Sequence, residues 1–187
     1  MKTYTIIAGV NGSGKSSLTG SLSSVDDTLG IIIDTDEISK KYGMLDGAKE
    51  AIRRIDHCLE NGFSFTQETT LSGKKTLHTI RKAKEKGYYI RLLYVAVNSA
   101  EESIARIENR VRKGGHNIPE EDVRRRYSTR FEDLKKILPC CDVGEFYDNE
   151  NGFVSVAEYR NGQLIIKTAV VPAWLKELED ILKDGLF

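Results

Sequence analysis

The stretch Gly9-Val10-Asn11-Gly12-Ser13-Gly14-Lys15-Ser16 matches the phosphate-loop pattern G-x-x-x-x-G-K-[ST] at every fixed position. Its surroundings match as well. The β-rich apolar run Tyr4-Thr5-Ile6-Ile7-Ala8 precedes it, and Ser17-Leu18-Thr19 can open a helix after it. Glycines let the backbone curl so that successive N–H groups face one anion, and the start of the helix adds the positive end of its dipole. The expected nucleotide-binding set is Gly9, Asn11, Gly12, Ser13, Gly14, Lys15, Ser16 and Ser17, with Lys15 on the β- and γ-phosphates and the Ser16 hydroxyl on Mg²⁺. A Gly/Ser turn matching by chance does not account for a strand before the loop and a helix after it.

The remainder reads as alternating strands and helices. Strands are expected at 3–8, 30–34, 63–68, 88–97 and 143–147. Helices are expected at about 15–23, 46–60, 73–87 and 100–112, and from Pro119 to about Ile137. Three consecutive isoleucines, Ile31 to Ile33, suggest a strand buried on both faces. Ala48, Ile52, Ile55 and Leu59 form the apolar face of the second long helix. Two strands at 153–159 and 164–170 flank the turn Arg160-Asn161-Gly162, and a helix from Trp174 to Leu182 closes the chain. This order predicts an α/β fold of the P-loop NTPase kind, a parallel five-stranded sheet flanked by helices. The C-terminal antiparallel hairpin is then an extension at one edge or a small flap. The 187 residues are read as one domain, with a lid at about 104–130 and the hairpin and helix at 151–187. Ligands in such sheets bind at the carboxyl ends of the strands.

Charge and cysteines narrow the setting. The 28 basic and 28 acidic residues balance, which argues against a bulk electrostatic attraction to nucleic acid. No apolar run is long enough for a membrane span, and the chain enters a strand at once, so no signal peptide is expected. Cys58, Cys140 and Cys141 form neither a disulfide framework nor a metal pattern, and read as free thiols in a reducing cytoplasm.

Further chemistry falls at the strand ends. Asp34 and Asp36 close strand two; in extended chain their carboxylates lie on one side, about 7 Å apart. One would orient Mg²⁺ water and the other would take a proton from a substrate hydroxyl; the alternative is a helix N-cap. Glu68 is a lone carboxylate at the end of strand three, placed to assist the metal or hold a hydroxyl, or simply satisfied there. Arg106, Arg110 and Lys113 share one helix face, Arg112 stands beside the Gly114-Gly115-His116 loop, and Arg124, Arg125, Arg126 and Arg130 follow it. This reads as a helix–loop–helix lid whose arginines close on a triphosphate, with Arg110, Arg112 and Arg126 the chosen candidates; for each alone, a solvated ion pair is the alternative. An exposed loop histidine such as His116 is more often idle. Asn149, after strand five, is a candidate for the adenine pocket, with a plain Asx turn the other reading.

Several of these pieces together resemble the zeta-toxin family of P-loop kinases, especially its short bacterial members. The matching stretches are residues 8–17, Asp34-Thr35-Asp36-Glu37-Ile38, Glu68-Thr69-Thr70-Leu71, the lid run from Arg110 to Pro119, and Arg125-Arg126-Tyr127, over roughly the first 150 residues. The resemblance implies an ATP-dependent kinase with an adenylate-kinase-like core. Family toxins phosphorylate the 3′-hydroxyl of the sugar of UDP-N-acetylglucosamine, and an antitoxin protein is the partner the family implies. On this likeness Lys15 carries the phosphate-loop lysine, Asp36 the general base and Glu68 the strand-three glutamate, and the lid arginines correspond as a set.

The sequence thus points to a Mg²⁺- and ATP-dependent kinase acting on a small-molecule hydroxyl. Asp34 or Glu68 would join Ser16 at the metal. A nucleoside, nucleotide or polynucleotide kinase with the same core is one alternative, and a nucleotide-hydrolysing switch protein is another. The absence of an Asn-Lys-x-Asp guanine motif argues against GTP.

Overall fold

The structure, a computed structural model, describes residues 1–115 and 117–183, without the side chains of Asp36 and Met44. Seven strands form one sheet: β1 (Thr3–Ala8), β2 (Ile31–Asp34), β3 (Phe65–Thr69), β4 (Tyr89–Ala96), β5 (Val143–Asp148), β6 (Val154–Arg160) and β7 (Gln163–Ile166). Their order across the sheet is β2-β3-β1-β4-β5-β6-β7. The first five run parallel, and β6 and β7 pair antiparallel. The C-terminal hairpin therefore extends the main sheet at one edge. Its turn uses Asn161 and Gly162, both at positive φ, the geometry of a tight two-residue connection.

Helices α1 (Lys15–Leu22), α2 (Thr35–Tyr42), α3 (Met44–Asn61), α4 (Lys75–Glu85), α5 (Ala100–Arg112), α6 (Glu120–Ser128), α7 (Arg130–Ile137) and α8 (Ala173–Lys183) complete the fold. Every residue of β1 is buried, as is β4 from Leu92 onward, as continuous apolar runs inside a covered parallel sheet should be. Tyr4 stacks on Phe65 across β1 and β3 with ring centroids 4.4 Å apart, and Trp174 of α8 is among the largest fully buried side chains. No helix among the described residues is long and apolar enough to cross a membrane.

Four sequence expectations are corrected. The isoleucine run does not mark a strand buried on both faces: β2 is an edge strand, with Ile31 44% and Ile32 39% exposed and only Ile33 in the core. The apolar face of α3 keeps the expected Ile55 and Leu59 but is completed by Ala51 and Cys58, while Ile52 faces solvent; the face is rotated from the expected one. The helix expected from Pro119 to Ile137 is two helices. Thr129, at φ −100° and ψ 6°, interrupts it; its hydroxyl bonds back to the Arg125 carbonyl, an alternative to the helical ladder that β-branched hydroxyl residues offer. Finally, α2 starts at Thr35 directly after β2, so Asp36 lies in a helix and not in extended chain. The Glu37 N–H donates to Asp34 Oδ1 at 3.2 Å, so Asp34 caps that helix.

Behind the site, Arg91 of β4 donates to Asp26 at 2.5 Å, and Asp26 also accepts from the Thr28 N–H and hydroxyl. Burial works to raise the Asp26 pKa, but the hydrogen bonds from Thr28 and Arg91 outweigh it and hold the carboxyl below its ordinary range. A carboxyl depressed on folding stabilises above its unfolded pKa, and that contribution disappears as pH falls through the folded value. Asp26→Asn is therefore expected to cost about 1–2 kcal/mol at pH 7 and progressively less as pH falls below the ordinary carboxyl range, as read by urea unfolding at pH 7 and at acid pH. An equal loss at both would show that the charge is irrelevant.

Candidate active site

The phosphate loop sits between the end of β1 and the start of α1. Gly9, at φ 148°, presses against β4: a Cβ there would run into the Val95 carbonyl. Gly14, at φ 104°, precedes α1 in a left-handed conformation that turns the chain into the helix. Lys15 Nζ donates to the carbonyls of Gly9 and Val10, both at 3.0 Å, so the ammonium curls over the loop.

Beside the loop, Asp34 and Glu68 occupy paired register positions at the carboxyl ends of β2 and β3. Glu68 is 7% exposed. It accepts Ser16 Oγ at 2.8 Å on one oxygen and Thr19 Oγ1 at 2.5 Å on the other. Burial, above all, pushes its pKa up; the Thr19 and Ser16 hydroxyls pull it down, the Asp34 carboxylate adds to the rise and Lys15 opposes it. Among the described residues no cluster of three His, Cys, Asp or Glu side chains could hold a metal. Two carboxylates and a hydroxyl nevertheless meet here, and Mg²⁺ is normally held by one or two carboxylates together with substrate phosphates. The donor set fits that ion.

These groups open onto a cavity of about 820 Å³, within the range of small-molecule sites. The loop lines it with Asn11, Gly12, Gly14, Lys15, Ser16 and Ser17, and the strand ends with Asp34, Thr35, Glu68, Thr69 and Thr70. The lid contributes Arg106, Asn109, Arg110, Lys113, Gly114, Gly115 and Arg126, and Asn149 closes the wall. Gly9 and Ser13, both in the expected nucleotide-binding set, are not among its lining residues, and Ser13 is fully buried.

The lid arginines divide. Arg110 and Arg126 line the cavity, and Arg126 Nη1 donates to Asn11 Oδ1 at 2.8 Å. A Cβ on Gly115 would strike the Arg110 side chain, so the glycine lets that stem lie against the loop. Arg112 is not brought to the cavity: its side chain is 74% exposed, 3.8 Å from Glu108 on its own helix. Arg124 pairs with Glu101 and Glu120, and Arg125 with Asp122. Arg130 joins Glu177 of α8 and lies over the Tyr127 and Phe131 rings, a structural tie. The His116 expectation and the Asp36 side chain lie outside the described residues.

Asn149 lines the cavity wall and is tied to the phosphate loop. Its Nδ2 donates to the Ser13 carbonyl at 2.8 Å, clamping the phosphate loop, and its own carbonyl accepts from Arg106. Sequence reasoning missed Thr19 and Asn109. Thr19 lies three residues after Ser16, on the same face of α1; Asn109 fills the Arg106–Lys113 stripe of α5, overlooked because only its basic members were weighed.

Comparison with known proteins gives the family. A family model described as Zeta toxin matches residues 1–142. The chain belongs to the zeta-toxin family. A relative from Haemophilus influenzae, described only as an uncharacterized protein, is 36% identical over 126 residues, 64% of this chain and 88% of that one. Among solved structures, that of the PezAT chromosomal toxin-antitoxin system of Streptococcus pneumoniae is similar at a TM-score of 0.63 and 16% identity, over 98% of this chain and 85% of that chain. The AvrRxo1-ORF1:-ORF2 complex with ATP is similar at a TM-score of 0.65 and 17% identity, over 97% of this chain and 63% of that chain. At these identities the structures establish the fold alone, a mostly parallel α/β sheet of the P-loop NTPase kind flanked by helices.

Proposed function

We propose that the protein is an ATP- and Mg²⁺-dependent kinase that transfers the γ-phosphate to a hydroxyl of a small molecule, with the sugar of UDP-N-acetylglucosamine as the first acceptor to test. The observation that carries the reading is the convergence of Lys15, Ser16, Asp34, Glu68, Arg110 and Arg126 on one cavity. Family membership supports it, and the similarity to the AvrRxo1 complex with ATP supports the choice of nucleotide.

In this reading the loop amides and Lys15 bind the β- and γ-phosphates. Ser16, Asp34 and Glu68 would hold Mg²⁺, which would supply charge neutralisation on the phosphate oxygens. Asp36 is the proposed general base, on the family resemblance alone. The acceptor oxygen forms its bond to the γ-phosphorus, the bond to the bridging oxygen of ADP breaks, and the hydroxyl proton passes to the Asp36 carboxylate. Arg126 and Arg110 stabilise the charge on the moving phosphoryl group. Closure of the lid excludes water, which would otherwise take the acceptor's place. The proposed setting is the cytoplasm, and the proposed protein partner is an antitoxin, supported by the family and by the likeness to the PezAT system.

The test is mass spectrometry of the protein incubated with Mg²⁺-ATP and UDP-N-acetylglucosamine. A phosphorylated sugar nucleotide is expected. ADP without it would redirect the search to nucleosides and other sugars, and no ADP with any acceptor would end the kinase reading. Asp36→Asn is expected to keep ATP binding and lose about 10²-fold in transfer. Near-normal transfer would remove Asp36 from the role of base.

A further inference from the structure

Asn11 stands at the third position of the phosphate loop, where no fixed residue of the pattern is required. Its backbone carbonyl accepts a hydrogen bond from Ser103 of α5. Its Oδ1 accepts one from Arg126 of α6 at 2.8 Å. The residue is buried, yet it lines the cavity. One loop residue thus ties both lid helices to the phosphate cradle. There is little slack in the joint, because a Cβ on the neighbouring Gly12 would lie 2.6 Å from the Ser103 carbonyl oxygen.

The chemistry of the side-chain bond is informative. A guanidinium has five donors and no acceptor, so the amide must present its oxygen to Arg126. The guanidinium is also a rigid planar fork, so fixing one N–H sets the directions of the other four. Arg126 is the last of three consecutive arginines in α6. The first two are held by carboxylates, Arg124 by Glu101 and Glu120 and Arg125 by Asp122. Arg126 makes no ion pair among the described residues and is held by a neutral amide. A carboxylate at that place would cancel the positive charge and set a negative one beside the phosphates; an amide orients the guanidinium and leaves its charge intact.

We infer that Asn11 is a positioning residue that acts through Arg126, aiming its guanidinium at the γ-phosphate end of the cavity and so giving the site its preference for a triphosphate over a diphosphate. The inference rests on the kinase reading above. It also explains why the loop carries an amide where the pattern leaves the residue free.

The test is calorimetric binding of AMP-PNP and of ADP, each with Mg²⁺, to the unaltered protein, Asn11→Ala, Arg126→Ala, the double variant and Asn11→Asp. The readout needs no acceptor. The unaltered protein should bind AMP-PNP more tightly than ADP. Each single alanine variant should lose about tenfold of that preference, read as the ratio of the two affinities, and the double variant should lose no more of it than Arg126→Ala. Asn11→Asp, which keeps the shape and an acceptor, should lose the preference as well. Three results would overturn the inference: an Asn11→Ala protein that keeps the preference Arg126→Ala loses, one that binds both nucleotides equally poorly, or additive losses in the double variant. An unaltered protein that binds neither nucleotide would overturn the kinase reading itself, an outcome distinct from these three.

Discussion

Lys15→Ala is expected to lower phosphoryl transfer by about 10³-fold or more, with nucleotide binding weakened and not abolished. The split follows from the geometry. The loop amides and the start of α1 remain in the variant, and they supply the sequence-independent grip on phosphate. What is removed is the Lys15 ammonium held over the loop, 3.0 Å from the carbonyls of Gly9 and Val10. In the proposed reaction that ammonium stands near the place where charge moves as the γ-phosphoryl group leaves ADP, and a preorganised cation there acts mainly on the transition state. ADP release measured with saturating acceptor, beside a calorimetric Kd for ATP, separates the two effects. Transfer within tenfold of the unaltered protein would sink the proposal. Lys15→Arg should not restore activity, since a planar fork cannot replace a compact point charge in a loop of this curvature.

The largest effect on stability is expected far from the loop in sequence. Trp174→Ala should cost about 3–5 kcal/mol, a large share of the whole for a domain of this size. Trp174 is 1% exposed and belongs to the main core cluster. Its Nε1 donates to Asp148 Oδ1 at 2.7 Å. Truncation therefore opens a cavity and strips a carboxylate of a partner at the same time. The melting temperature should fall by about 10 °C or more. The damage should also reach the site, because the next residue, Asn149, clamps the Ser13 carbonyl of the phosphate loop. Trp174→Phe keeps most of the apolar area and should lose about 1–2 kcal/mol, chiefly for the hydrogen bond. A melting temperature for Trp174→Ala within about 2 °C of the unaltered protein would contradict this account.

What was legible in the sequence is what local pattern controls. The phosphate loop, the buried runs of β1 and β4, the span of α5 and the Asn161-Gly162 turn all follow from neighbouring residues, and all are present. The misreadings share a different origin. Asp34-Thr35-Asp36-Glu37 contains both a strand end and a helix start, and only the Asp34 cap on the Glu37 N–H shows which takes over after Asp34. Ile31 and Ile32 look like core residues until the strand order puts β2 at the edge. In the site, the carboxylates and the loop declared themselves by position. The sorting of the arginines did not: Arg112 and Arg126 look alike in sequence, and only helix rotation and a contact 115 residues away separate them. The clamp by Asn149 likewise depends on a pairing across 136 residues.

The sheet ends in four-residue strands on both sides, β2 and β7, and both expose isoleucine: Ile31 and Ile32 on one, Ile165 on the other. An edge of unpaired backbone groups flanked by apolar side chains is a template on which a second chain can dock strand to strand. Here the safeguard is brevity, because so few ladder bonds offset little of the entropy of recruiting another chain. Insertions that lengthen either edge strand should therefore promote self-association, even where the core and the cavity are untouched.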